Sequence, residues 1–195
     1  MVPKWISLGI ETILKIICEE IIIRDIKIVN KNNKFKGIID ELNIKAESII
    51  FKKFYISNIN INLRDVVLGF SFNNKKFFID DCYAVIHLRL TRDNINQTLF
   101  NKKWQKLKTS IETFISRSFQ SIEINNKSIY FLPSEVLPHK NSDYTLQYDE
   151  NIISLVNNIN KEEFSILNDK NIIVKNLSFY ESYIDLELHS KIIFN

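Results

Sequence analysis

IIDELNIKAESIIFKKFYISNININL, residues 38–63, carries the pattern that decides the fold. Leu42, Ile44 and Ala46 alternate with Asn43, Lys45 and Glu47, and Ser57, Ile59, Ile61 and Leu63 alternate with Asn58, Asn60 and Asn62. Successive side chains of an extended chain point to opposite sides, so a period of two predicts strands with one apolar and one wet face. One wet face is the habit of antiparallel sheets.

Upstream, strand signal extends back to Ile26, with a turn expected at Asn32–Asn33. Before it, Ile10, Ile13, Leu14, Ile17 and Ile21 recur at three- and four-residue spacing, which predicts a helix over about 8–24. Glu11, Lys15 and Glu19 lie on its other side, and the run Ile21–Ile22–Ile23 breaks the period where a first strand could begin.

Downstream, residues 64–69 read as a short helical or irregular link, and 76–90 as a strand. Cys82, Ala84, Ile86, Leu88 and Leu90 share one face of that strand, and Tyr83, Val85, His87 and Arg89 the other. Thr91 fits an N-cap, with Asp93 in the first turn favouring the helix dipole. Ile95, Leu99, Trp104, Leu107, Ile111, Phe114 and Ile115 form an apolar stripe. They place two helical pieces, or one kinked helix, over about 92–118, with Lys102, Lys103, Lys106 and Lys108 on the opposite face.

Residues 121–132 read as a hairpin turning at Asn125–Asn126, Pro133 and Pro138 bracket a loop, and Tyr144, Leu146 and Tyr148 alternate as in a strand. Residues 150–167 are ambiguous, and 177–188 form a closing hairpin about Glu181–Ser182. Helix, strands, helix, strands is an α+β order, without the regular βαβ alternation of a doubly wound sheet. No repeat or Gly-, Pro- or Ser-rich linker divides the chain, so residues 1–195 are expected to form a single domain.

The composition, 45% hydrophobic and 25% charged, is that of a folded globular chain. Glycine occurs only as Gly9, Gly37 and Gly69, which excludes a P-loop and a GxGxxG fingerprint. The three histidines, His87, His139 and His189, are scattered without metal-ligand spacing, and no serine sits in GxSxG. Asp80–Asp81 would point to opposite faces of a strand, and Cys18 and Cys82 read as buried free thiols. The expectation is a non-enzymatic protein with no metal and no cofactor.

Charge is uneven. Residues 26–76 hold ten Lys/Arg against four Asp/Glu, while residues 143–187 hold three against nine, so one end suits an anionic surface. Charged residues interrupt the apolar N-terminus, so it resembles neither a signal peptide nor a membrane span, and a cytoplasmic protein able to touch a membrane is expected. Lys52–Lys53 beside Phe51, Phe54 and Tyr55 mixes charge with aromatics as single-strand nucleic-acid binders do. Gatekeeper lysines beside aggregation-prone strands explain the same residues, and nucleic acid is the weaker reading.

The succession of KGIIDELNIKA (36–46), FYISNINI (54–61), VVLG (66–69) and LTRDNINQTL (90–99) resembles the LmeA-like family of bacterial phospholipid-binding proteins, formerly a domain of unknown function. The last piece matches that family's Leu-[Ser/Thr]-x-x-Asp/Asn-Leu/Ile-Asn-x-x-Leu signature, and residues 174–193 resemble its closing strands. The resemblance implies a curved antiparallel sheet wrapping a helix, in the manner of TULIP (BPI-like) lipid-binding domains, with an apolar groove for phospholipid and no catalysis. The family's Gly- and Pro-rich positions are mostly Asn, Lys and Phe here, and the signal or anchor of exported members is not seen.

On this reading the groove lies between the helix carrying Ile111, Phe114 and Ile115 and the strand faces Ile86, Leu88, Leu90 and Ile184, Leu186, Leu188. An acyl chain gains about 0.8 kcal/mol per buried CH₂ there. Lys102, Lys103 and Lys106 would dock on an anionic membrane, at about 1 kcal/mol per charge near the surface. The alternative is a structural or protein-interaction module with a filled core, using a sheet edge or the Trp5–Ile6 end to hold a partner.

Overall fold

The computed structural model describes residues 4–30, 38–71, 76–79, 82–125, 128–133 and 144–192. Helix α1 (Lys4–Ile17) leads into strands β1 (Glu20–Val29), β2 (Ile38–Phe51), β3 (Phe54–Ser71), β4 (Lys76–Ile79) and β5 (Cys82–Thr91). Helix α2 (Arg92–Leu99), a 3₁₀ turn (Lys102–Trp104) and α3 (Gln105–Phe114) follow. The chain then forms β6 (Ser121–Ile124), β7 (Ile129–Leu132), β8 (Tyr144–Asp149), β9 (Ile152–Asn157), β10 (Glu163–Asn168), β11 (Ile172–Phe179) and β12 (Tyr183–Ile192). The fold is α+β, built among the described residues on two antiparallel sheets: seven strands in the order β1-β2-β3-β5-β12-β11 with β4 on β3, and five in the order β10-β9-β8-β7-β6.

The period of two becomes register. Ile44, Ile61, Ile86, Leu188 and Val174 stand opposite one another across five strands, and Ala46, Ile59, Leu88, Leu186 and Leu177 form the adjacent row. One face of the large sheet is therefore an apolar ladder, and the intervening residues make the other face polar. Phe51 pairs with Phe54 across the β2–β3 turn, where Lys52 and Lys53 both take positive φ, 50° and 61°. That is the two-residue hairpin geometry ordinarily given to Asn-Gly.

The apolar face is covered from two ends. At one, Ile6 of α1 packs with Ile39, Leu42, Ile44, Val66 and Cys82, backed by Ile10 and Leu14. At the other, α2, α3 and the small sheet close over Ile184. Phe119 and Phe131 meet edge-on at 4.9 Å, and Phe131 meets Tyr144 at 5.4 Å. Burying side chains of this size stabilises by about 1.5–3 kcal/mol each, which makes this the principal core.

Thr91 caps α2 as expected, and its partner in the capping box is Asn94. The Asn94 backbone N–H donates to Thr91 Oγ1 at 3.2 Å, and the Thr91 N–H donates to Asn94 Oδ1 at 3.1 Å. Asn96 then latches α2 to the small sheet, its Oδ1 accepting the Ile122 N–H at 2.7 Å and its Nδ2 donating to the Ile122 carbonyl at 3.2 Å.

Four expectations change. The first helix is Lys4–Ile17 rather than 8–24, because the β-branched run 21–23 joins β1 and pairs with β2. Ile6, expected as part of a partner-binding end, is buried between α1 and the large sheet. Residues 64–69 are strand, since Arg64, Val66 and Val67 pair with Glu41, Ile39 and Ile38. The central helical region ends at Phe114 rather than 118, where Ser116 turns to φ 57°. It divides into two pieces about the 3₁₀ turn, and the ambiguous 150–167 supplies β9 and β10. The expected turn at Asn32–Asn33, the Asp80–Asp81 pair, Asn126, Pro138 and His139 lie outside the described residues.

Candidate functional site

The space assigned from sequence to an acyl chain is largely occupied by the protein itself. Ile111, Ile115 and Ile184 are buried against Phe119, Ile122, Phe131 and Leu155, and Phe114 stacks on Phe164 at 5.7 Å. The groove expected between α3 and the ends of β5 and β12 is thus filled by the small sheet, whose packing there the sequence did not reveal. Leu90 is buried in a smaller cluster with Ala46, Ile49 and Ile56, against which Leu88 and Leu186 pack. Ile86 and Leu188 face each other across β5 and β12, half-buried, and belong to none of the clusters formed among the described residues.

Lys102, Lys103 and Lys106 are exposed, as expected. The Trp104 ring lies 5.6 Å from Phe54, and its Nε1–H donates to the Lys52 carbonyl at 3.3 Å. The 3₁₀ turn is thereby pinned beside the β2–β3 hairpin, bringing Lys102 and Lys103 to the side of Lys52 and Lys53. In the sequence the two lysine pairs lie about fifty positions apart, with nothing local to connect them.

Glu19, two residues past α1, joins the same corner. It forms an ion pair with Lys53 and accepts the Lys53 backbone N–H at 3.0 Å. The side-chain hydrogen bond to Lys53, helped by the charge of Lys103, holds the Glu19 carboxyl below the ordinary range. Alongside, the C-terminal half of α1 leaves Ile13, Ile16 and Ile17 exposed, Ile16 by 78%. Phe51, under the Lys52 ammonium at 5.2 Å, is exposed as well. The corner therefore combines uncovered apolar side chains with the lysines of the hairpin tip and of the adjoining 3₁₀ turn and one carboxylate. The signal available in the sequence was the position of Lys52–Lys53 between two alternating runs, which marks a hairpin tip.

Among the described residues, no group of three or more His, Cys, Asp or Glu is placed to hold a metal ion, and no helix is long and apolar enough to cross a membrane. Cys82 is buried, and Cys18 is half-buried with its pKa raised by desolvation. Compared with known proteins, the chain matches no protein-family model, no curated protein and no solved structure.

Proposed function

We propose that the protein is a non-enzymatic lipid-binding protein that docks on an anionic membrane surface through the corner formed by the β2–β3 turn, the 3₁₀ turn and the end of α1. The observation carrying this reading is the juxtaposition of exposed Ile13, Ile16, Ile17 and Phe51 with Lys52, Lys53, Lys102 and Lys103. Apolar side chains that enter the headgroup boundary, ringed by cations, are the chemistry of interfacial anchoring. Lys52 and Lys53 also occupy left-handed backbone that Asn or Gly adopts at lower cost, and such outliers motivate a functional explanation.

The ligand is a phospholipid or other acyl-chain lipid. Its seat is the middle of the apolar ladder, where Ile86 and Leu188 are only half-buried, beside Ile61 at the edge of the cluster under α1. The likeness of residues 36–99 to LmeA-like proteins supports this assignment, and with it a TULIP-like wrap of the large sheet. Native mass spectrometry of the purified chain tests it: a co-purifying lipid, displaced by Ile86→Asp, is expected, and a ligand-free protein contradicts the seat.

The packing around Ile111, Ile115 and Ile184 favours a second reading, a structural or protein-interaction module with a filled core. That reading requires a chain that is stable, lipid-free and indifferent to vesicles.

A further inference from the structure

The polar face of the large sheet is hollow. Lys45, Asn60, His87 and Glu187 stand in register across β2, β3, β5 and β12. Glu47, Asn58, Arg89 and Asp185 form the next row. Together they floor a trough of about 570 Å³, bounded by Arg24 on β1 and by Tyr180 beyond β11. It opens on the face opposite the apolar ladder, so it is separate from the lipid seat.

Its fixed charges cancel. Arg24, Lys45 and Arg89 are matched by Glu47, Asp185 and Glu187. Arg24 forms an ion pair with Glu47, and Arg89 holds Asp185 through two hydrogen bonds of 2.8 Å. A phosphate or a free cation gains little from such a lining, whereas a ligand that both donates and accepts hydrogen bonds finds partners of each kind. Asn60 Oδ1 is buried and meets no donor among the described residues, so its amide is incompletely satisfied.

The wall adds an aromatic surface. The Arg89 guanidinium lies 4.0 Å from the Tyr183 ring centre, and Tyr180 stacks on Tyr183 at 4.5 Å with 19° between planes. The two cannot share one side of the ring, so Arg89, Tyr183 and Tyr180 form a three-layer stack. Tyr180 ends it, 43% exposed at the rim of the trough.

We propose that this trough binds a neutral oligosaccharide, lying across the strands with one sugar ring against Tyr180. Hydroxyls supply paired donors and acceptors without net charge, and a pyranose repeat is comparable with the strand spacing of about 4.8 Å. An extended peptide would instead pair with a sheet edge.

The test is an amide NMR titration of the full chain with neutral hexasaccharides of glucose, xylose and N-acetylglucosamine in turn. At least one should shift the amides of Asn58, Asn60, His87 and Glu187, with a Kd of about 1 mM or tighter. Tyr180→Ala, its fold checked by an otherwise unchanged spectrum, should weaken that binding about tenfold. The proposal is overturned if none of the three shifts these amides at about 10 mM, where a 1 mM site would be nearly full. It is equally overturned if Tyr180→Ala binds as well as the parent, or if an anionic hexasaccharide binds more tightly than the neutral ones.

Discussion

Trp104 donates its indole N–H to the carbonyl of Lys52, a residue 52 positions earlier in the chain. This contact joins a helix-connecting turn to a hairpin tip and sets the spacing of the lysines on both. Trp104→Phe keeps an aromatic ring on Phe54 and removes the donor. It should cost about 0.5–1.5 kcal/mol in urea unfolding and weaken binding to anionic vesicles by more than that stability loss explains. Equal effects on both readouts would mean that the contact serves folding alone.

Lys52→Asn with Lys53→Gly separates stability from function. Asn-Gly relieves the left-handed backbone at both positions, so the melting temperature should rise by a few degrees. The same double variant removes two cations from the corner and should bind anionic vesicles severalfold more weakly. A drop in melting temperature would contradict the strain argument.

Ile184 is 1% exposed within the principal core. Ile184→Ala should destabilise by about 2–5 kcal/mol in chemical denaturation and leave vesicle binding of the folded protein unchanged. Loss of lipid binding without loss of stability would restore the groove next to α3 that the packing closes.

Two exposed ion pairs give stability a sign in pH. Hydrogen bonds from Arg24 and Lys53 lower the carboxyl pKa values of Glu47 and Glu19. Their contribution is complete above the ordinary Glu value of about 4.3 and is lost as pH falls through the lowered folded values. Lys53 is raised by Glu19, so its share holds through neutrality and is lost only as pH rises past its raised value. Glu19→Gln with Glu47→Gln should flatten the acid limb of a melting temperature against pH curve, and an unchanged limb would assign that limb to other carboxylates.

The alternating stretch 38–63 carried the large sheet in plain view, because a half-wet strand writes its period of two into the chain. LTRDNINQTL was equally legible as a helix start, and its residues act in the fold: Thr91 and Asn94 cap, Asn96 latches, Thr98 accepts the Tyr55 N–H, and Leu99 is buried. What escaped was long-range. The pairing of β12 with β5 joins residues about a hundred positions apart, and it places Asp185 against Arg89 to shape the polar trough. Local periodicity does not encode which sheet covers Ile111 or which turn Trp104 meets, since those depend on tertiary packing.

Binding of the full chain to sucrose-loaded vesicles of phosphatidylcholine alone, or with phosphatidylserine, at low and high salt is the most direct test of membrane docking. Sedimentation with the anionic vesicles at low salt, release as salt screens the lysines, and loss of binding in Ile16→Glu with the fold intact are the expected results. Equal, salt-insensitive behaviour toward both vesicle types, or full binding by Ile16→Glu, would contradict membrane docking.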